Sequence, residues 1–159
     1  MKTNVVKLVV FRLGEDSFAA DIFAVERVLR YVPPNAVPDV PAWIVGVLEH
    51  GGRVVPVVDM RRRMQLPERD VAPETRILVL NTSAGWVGAI VDSVSEVAVV
   101  PTTAVSSPPA LFRGLAAEFV RGVAKVAGHM VVVLDADRVL TSTDRIAFER
   151  AVSEVKARG

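Results

Sequence analysis

Cysteine is absent from the chain, which excludes disulfides, thiolate-bound metal and a cysteine nucleophile. Aromatic residues make up only 6%, and the apolar content is mostly Val and Ala. Nor is there an excess of charge: the formal net charge is +1, too small to draw in nucleic acid or acidic lipid by a global field. Long apolar runs are missing as well. Lys2 and Lys7 are followed by Leu8-Val9-Val10-Phe11, but Arg12 interrupts, short of the ~7–15 apolar residues of a signal core and of the ~20 that cross a bilayer. The chain is therefore read as cytoplasmic, without direct membrane insertion.

What is present favours sheet. Half the residues are apolar, 51%, and Val, stiff at χ1, suits a pleated strand. Apolar runs of strand length recur between turn residues. Residues 5–13 end at the turn cluster Gly14-Glu15-Asp16-Ser17, and Phe18 begins the next extended piece. Residues 43–48 and 54–58 flank Glu49-His50-Gly51-Gly52-Arg53, a hairpin in which glycine supplies positive φ. Pro56 has no N–H to donate, which predicts an edge or a bulge for it. Residues 77–80 and 86–91 flank Asn81-Thr82-Ser83-Ala84-Gly85, a second hairpin, and residues 94–100 end at Pro101. Residues 119–126 and 130–134 flank Ala127-Gly128-His129, a third.

Residues 32–41 carry four prolines and residues 101–109 are similar, so both are read as loops. Polar residues 65–73 are the joint between halves. One helix follows, capped by Ser142 or Thr143, with Ala147, Phe148, Ala151, Val152 and Val155 on one face. Glu154 and Arg158 make a favourable i,i+4 pair. Such a helix docks on something, and the protein's own barrels are the default.

Self-similarity is the most informative feature. A shift of 76 residues brings Gly46-Val47 onto Gly122-Val123, Gly52 onto Gly128, Val55 onto Val131, Val57 onto Val133, Asp59 onto Asp135 and Arg62 onto Arg138, with no gap. Each copy reads strand, glycine turn, strand, Asp, then a short turn of helix. Residues 18–28 resemble 86–97 with one residue of slippage. Each half supplies about five short strands, too few to bury much alone, so the two are expected to share an apolar interface.

No enzymatic pattern emerges. His50 and His129 occupy neighbouring places in the matched turns, too few for a zinc site, and are read as ordinary turn histidines. A nucleophile elbow, a phosphate-binding glycine loop and a dinucleotide fingerprint are all missing. Asp59 at a strand end could be mistaken for a phosphoacceptor, but Asp135 has the same place in the other half, and both are read as helix caps. Arg61-Arg62-Arg63 could grip phosphate, yet nothing adjacent offers stacking and Glu68 and Asp70 follow. It is read as a solvated or protein-facing patch, with nucleic-acid binding a remote alternative. Trp43 and Trp86 are read as core.

Taken in order, Val9-Val10-Phe11-Arg12-Leu13-Gly14, Phe18-Ala19-Ala20-Asp21-Ile22, Val37-Pro38 with Gly46-Val47, Val54-Val55-Pro56-Val57-Val58-Asp59-Met60-Arg61 and Val87-Gly88-Ala89-Ile90-Val91-Asp92-Ser93-Val94 resemble the CheW family of chemotaxis coupling proteins over about residues 5–141. The resemblance implies an all-β fold with a C-terminal helix: two pseudo-symmetric five-stranded SH3-like barrels packed on a shared core. The CheW-like domain would span residues 1–141, with intertwined subdomains of about 15–70 and 75–141, and residues 142–159 would form the amphipathic helix. It implies a non-enzymatic scaffold without cofactor, metal or catalytic residue. The expected partners are the regulatory domain of a CheA-type histidine kinase and the cytoplasmic tip of chemoreceptors, with recruitment to receptor arrays and no nucleic acid. By position, Gly46 and Val47 match the kinase-facing surface, and Val25, Arg27, Gly51 and Val87 the receptor-facing groove. Two positions depart from the family pattern. Gly51 stands where Arg is usual and Arg27 where Glu is usual, which is no neutral exchange. Either Arg27 now pairs with Glu49, or receptor coupling has been retargeted, as in an adaptor for surface motility or gene control.

Overall fold

The computed structural model describes residues 4–107 and 119–158, with the side chains of the last helix described as far as residue 154. Among the described residues, eleven strands form two sheets. The first has the order β8-β1-β2-β11-β10-β9 and the second β3-β6-β7-β5-β4. The strands are β1 (Val5–Leu13), β2 (Asp16–Asp21), β3 (Val25–Arg30), β4 (Ile44–His50), β5 (Arg53–Asp59), β6 (Arg76–Thr82), β7 (Gly85–Val91), β8 (Ser93–Pro101), β9 (Val105–Ser106), β10 (Val120–Val126) and β11 (His129–Leu134). Helix α1 (Met60–Arg63) follows β5, and helix α2 (Ser142–Arg158) closes the chain.

Period-two alternation explains why the strands read as nearly unbroken apolar runs. In β1, Leu8 and Val10 enter a cluster belonging to the first sheet, while Val9 and Phe11 enter the large core between the sheets. In β5, Val57 belongs to the second sheet's own cluster and Val58 to the shared core. The interior strands are therefore buried on both faces, one inside the barrel and one against its partner, while the edge strands β3 and β8 keep side chains exposed. This is the expected all-β arrangement of two SH3-like barrels on a common core. The one addition is the two-residue β9, and the isolated Asn35–Val47 bridge supplies its counterpart in the second sheet.

The repeat is visible strand for strand. β4 (Ile44–His50) and β10 (Val120–Val126) differ by the 76-residue shift, as do β5 and β11, and both pairs are antiparallel hairpins. β5 then pairs in parallel with β7, and β11 with β2. Asp59 accepts from the Arg61 and Arg62 amides, and Asp135 from the Asp137 amide, so both aspartates cap as expected. Residues 65–73 do not divide the sheets, however. β6 and β7, which follow that segment, pair with β3 and β5, which precede it, and β1 and β2 lie in the sheet of β8 to β11. The halves exchange hairpins.

Several local expectations need correction. β3 was not marked by any apolar run, because it is an edge strand with mostly exposed side chains. Pro56 lies in β5, an interior strand, and not at an edge; of the two expected settings it has the bulge close by, next to the register shift at Gly46. It faces Val47, whose N–H and C=O both bond Asn35 at 2.8 Å on the far side. That pair exchanges no ladder bond, so the missing donor costs the β4–β5 ladder nothing. Residues 101–107 contain a 3-10 turn and β9 as well as irregular chain, and residues 108 and 109 lie outside the described residues. The cap of α2 is Thr141: its hydroxyl accepts from the Asp144 amide while Asp144 accepts from the Thr141 amide, both at 3.1 Å. Phe148 and Ala151 are buried, so α2 docks on the protein's own core. The Val155 and Arg158 side chains lie outside the described residues.

Candidate functional site

The two positions expected to face the kinase differ in what they can offer. Gly46 is buried in β4, where the proline-rich loop crosses it. A Cβ there would clash with the Asn35 carbonyl oxygen and come within 2.8 Å of its carbon. Glycine is needed for this close approach, and the β4–β5 register shifts at the same place. Gly122 repeats the arrangement, with Ser106 O 2.6 Å from a would-be Cβ. Val47 is half-buried and lines an apolar recess of about 250 Å³ with Val37, Leu48, Val54 and Val152. Of the pair, Val47 is the one with a side chain to present.

The four groove positions are not one surface. Val25 is half-buried where β3 begins, and Arg27 is exposed on that edge strand. Val87 is fully buried in the shared core, so it can shape a groove only from behind. Gly51 lies at the β4–β5 tip with φ +55°, and its would-be Cβ is 3.2 Å from the Trp86 ring. Arg27 and Glu49 sit on β3 and β4, the opposite edges of the second sheet. They form no ion pair among the described residues, so the charge swap is withdrawn.

Three features escaped the sequence reading. Trp86 is half-buried, with the Arg53 guanidinium 4.3 Å above its ring and His50 tilted against it at 5.3 Å. The hairpin tip is thus an aromatic platform beneath Gly51, not a bare turn. Phe23 is 89% exposed in the turn linking β2 to β3 and stands in a hollow with Ala24, Leu134 and Arg121. A single aromatic in a three-residue turn leaves no periodic signal. Asp92, at the passage from β7 to β8, is the third.

Asp92 answers the question of the three arginines. Arg61 grips it with Nε at 2.8 Å and Nη2 at 2.5 Å, and the Gly14 amide donates to the same carboxylate at 2.6 Å. The Arg61 hydrogen bond and the Gly14 amide, opposed by burial, hold the Asp92 carboxyl below the usual carboxylate range; Asp92 in turn raises Arg61. Arg62 pairs with Asp59 and Glu68. Arg63 is buried between the Trp43 and Phe119 rings, donates to Val139 O at 3.0 Å and meets Asp144 at 3.6 Å. Arg61 and Arg63 are engaged inside the fold, while Arg62 stays exposed and pairs with carboxylates at the surface, so the three arginines do not form one basic patch.

Comparison with known proteins gives a consistent set of relatives. Residues 7–144 match the CheW-like domain family. The chemotaxis protein CheW of Bacillus subtilis (strain 168) is 30% identical over 93% of this chain and 93% of its own. That of Rhizobium meliloti (strain 1021) is 29% identical over 89% and 91%. Protein FrzA of Myxococcus xanthus is 31% identical over 77% and 76%. Among solved structures, the scaffolding protein TtCheW from Thermoanaerobacter tengcongensis superposes with a TM-score of 0.77 at 30% identity, covering 82% of this chain and 88% of that one.

Proposed function

Because this chain belongs to the CheW-like domain family, we propose that it is a non-enzymatic scaffold coupling chemoreceptors to a CheA-type histidine kinase. The observation that carries this reading is the continuity of the match, which runs through both barrels and is accompanied by close superposition on a scaffolding relative. A scaffold needs separate rigid surfaces, and a core shared by two curved sheets holds them in fixed relation.

We assign the kinase-facing surface to Val47, supported by the apolar recess it lines with Val37, Val54 and Val152. We assign the receptor-facing side to two separate places, the β3 edge at Val25 and Arg27 and the β4–β5 tip at Gly51. Calorimetric titration with the regulatory domain of a CheA-type kinase from the same organism tests the first placement. Micromolar or tighter binding is expected, weakened by about tenfold or more in Val47→Glu. Substitution at Gly46 is the wrong probe, because it disturbs the Asn35 crossing itself. No binding to any such kinase would defeat the reading.

A second reading keeps the kinase contact and changes the receptor side. It is favoured by Arg27 and Gly51, which replace a usual acid and a usual arginine, and by the half-buried Trp86 ring that lies against Gly51. Reconstitution with receptor and kinase separates the two. Full receptor-dependent kinase activation supports the chemotactic scaffold, whereas kinase binding without activation supports the retargeted adaptor.

A further inference from the structure

The repeat gives each surface of one barrel a counterpart on the other. β4 and β5 map onto β10 and β11 by 76 residues, and the parallel pairings Val57↔Gly88 and Val133↔Ala19 map β7 onto β2 by a shift of 69. Helix α2 lies across the second sheet. Its Arg145 guanidinium comes to 3.6 Å from a would-be Cβ of Gly85, Phe148 is buried in the core, and Val152 packs against that core and lines one recess with Val54.

Carried to the first sheet, Gly85 becomes Asp16, Val87 becomes Phe18, Val54 becomes Met130, Ile44 becomes Val120 and Leu140 becomes Met64. Those residues, with Leu66 and Val132, line an open apolar groove of about 330 Å³. Met130 is 61% exposed in it. The two halves differ because the chain continues from Leu140 into α2, whereas after Met64 it turns off at Gln65, φ +58°, into irregular chain. One groove has its helix; the other is open.

We infer that the groove of Phe18, Met64, Leu66, Val120, Met130 and Val132 docks an amphipathic helix of a partner protein. Its apolar stripe would follow the spacing of Phe148, Ala151 and Val152, with a basic residue three places before the first apolar one, as Arg145 precedes Phe148. The charge follows from the map: Arg145 faces a glycine in the filled groove, but its equivalent faces the exposed carboxylate of Asp16 in the open one. Two methionines suit such a site, because thioether side chains adapt to the helix they receive. The surface is separate from Val47 and from the β3 edge, and the inference stands on the fold alone, whichever kinase or receptor the scaffold serves.

The probe is a labelled peptide of residues 141–158, titrated by fluorescence anisotropy into the full-length chain. Saturable binding is expected, on the order of 10–100 μM because a free helix must order on docking. Met130→Glu, a change at an exposed side chain, is expected to weaken it by about tenfold or more. Asp16→Lys is expected to weaken the same peptide, and a peptide carrying Arg145→Glu to recover binding to that variant. Absence of saturation at millimolar peptide overturns the proposal. So does binding indifferent to both variants but lost in Val54→Glu, which would mean that the peptide displaces α2 from its own groove. Self-association of the free chain that Met130→Glu abolishes would put a second copy in the groove and overturn the partner helix.

Discussion

At the scale of single residues, burial decides what sequence position leaves open. Gly46 and Val87 are inside, so neither can be a direct contact, although Gly46 controls the loop that borders Val47. Gly46→Ala is expected to cost about 2 kcal/mol or more through displacement of the Asn35 crossing, read as a lower urea midpoint with little change in slope. The Arg61–Asp92 clasp carries a second prediction. Because the folded Asp92 carboxyl lies below its unfolded value near ~3.9, its contribution is fully present above that value and is lost as pH falls through the folded one. At neutral pH, Asp92→Asn should be less stable than the native protein by about 1–3 kcal/mol. The gap should narrow as pH drops from about 5 toward 3, measured by urea unfolding across that range. A gap that stays constant would mean that geometry rather than charge does the holding.

Elements show how far local pattern reaches. The hairpins, the matched aspartate caps and the amphipathic face of α2 were legible because turn glycines, side-chain caps and periodicity act within a few residues. β3 was not legible, because an exposed edge strand buries little and carries no apolar alternation. The cap of α2 was misplaced by one residue for a similar reason: Thr141, Ser142 and Thr143 are all competent, and only the reciprocal bonds with Asp144 select the first. Thr141→Ala is therefore expected to cost about 1 kcal/mol, and Ser142→Ala almost nothing, by thermal denaturation. Removing residues 142–159 should do much more. It takes Phe148 from the shared core and Asp144 from the buried Arg63, so a large fall in melting temperature and binding of a hydrophobic dye are expected.

The whole molecule is held together by exchange between its halves. β5 obtains its parallel neighbour β7 from beyond the joint, and β11 obtains β2 from the start of the chain. A fragment of residues 1–72 would keep β3, β4 and β5 but lack β6 and β7, which lie between them in the sheet. It is expected to be unfolded by circular dichroism, and mixing it with residues 73–159 should restore sheet signal. A folded isolated fragment would contradict the exchanged topology. The same exchange ties the two barrels together, since neither can tilt without breaking its partner's sheet.

The sequence by itself determined the class of fold, the hairpins, the duplication and the resemblance to a coupling family. Those depend on local propensity and on the order of short motifs along the chain. Only the tertiary structure decided which half completes which sheet, where Arg61, Arg62 and Arg63 spend their charges, that Val87 faces inward, and that one of two equivalent grooves stands open. Each of these turns on a neighbour tens of residues away, such as Asp92 for Arg61 or Val139 for Arg63. Side-chain periodicity places a residue on one face of its own strand, but what that face meets is settled only when the sheets close around a common core.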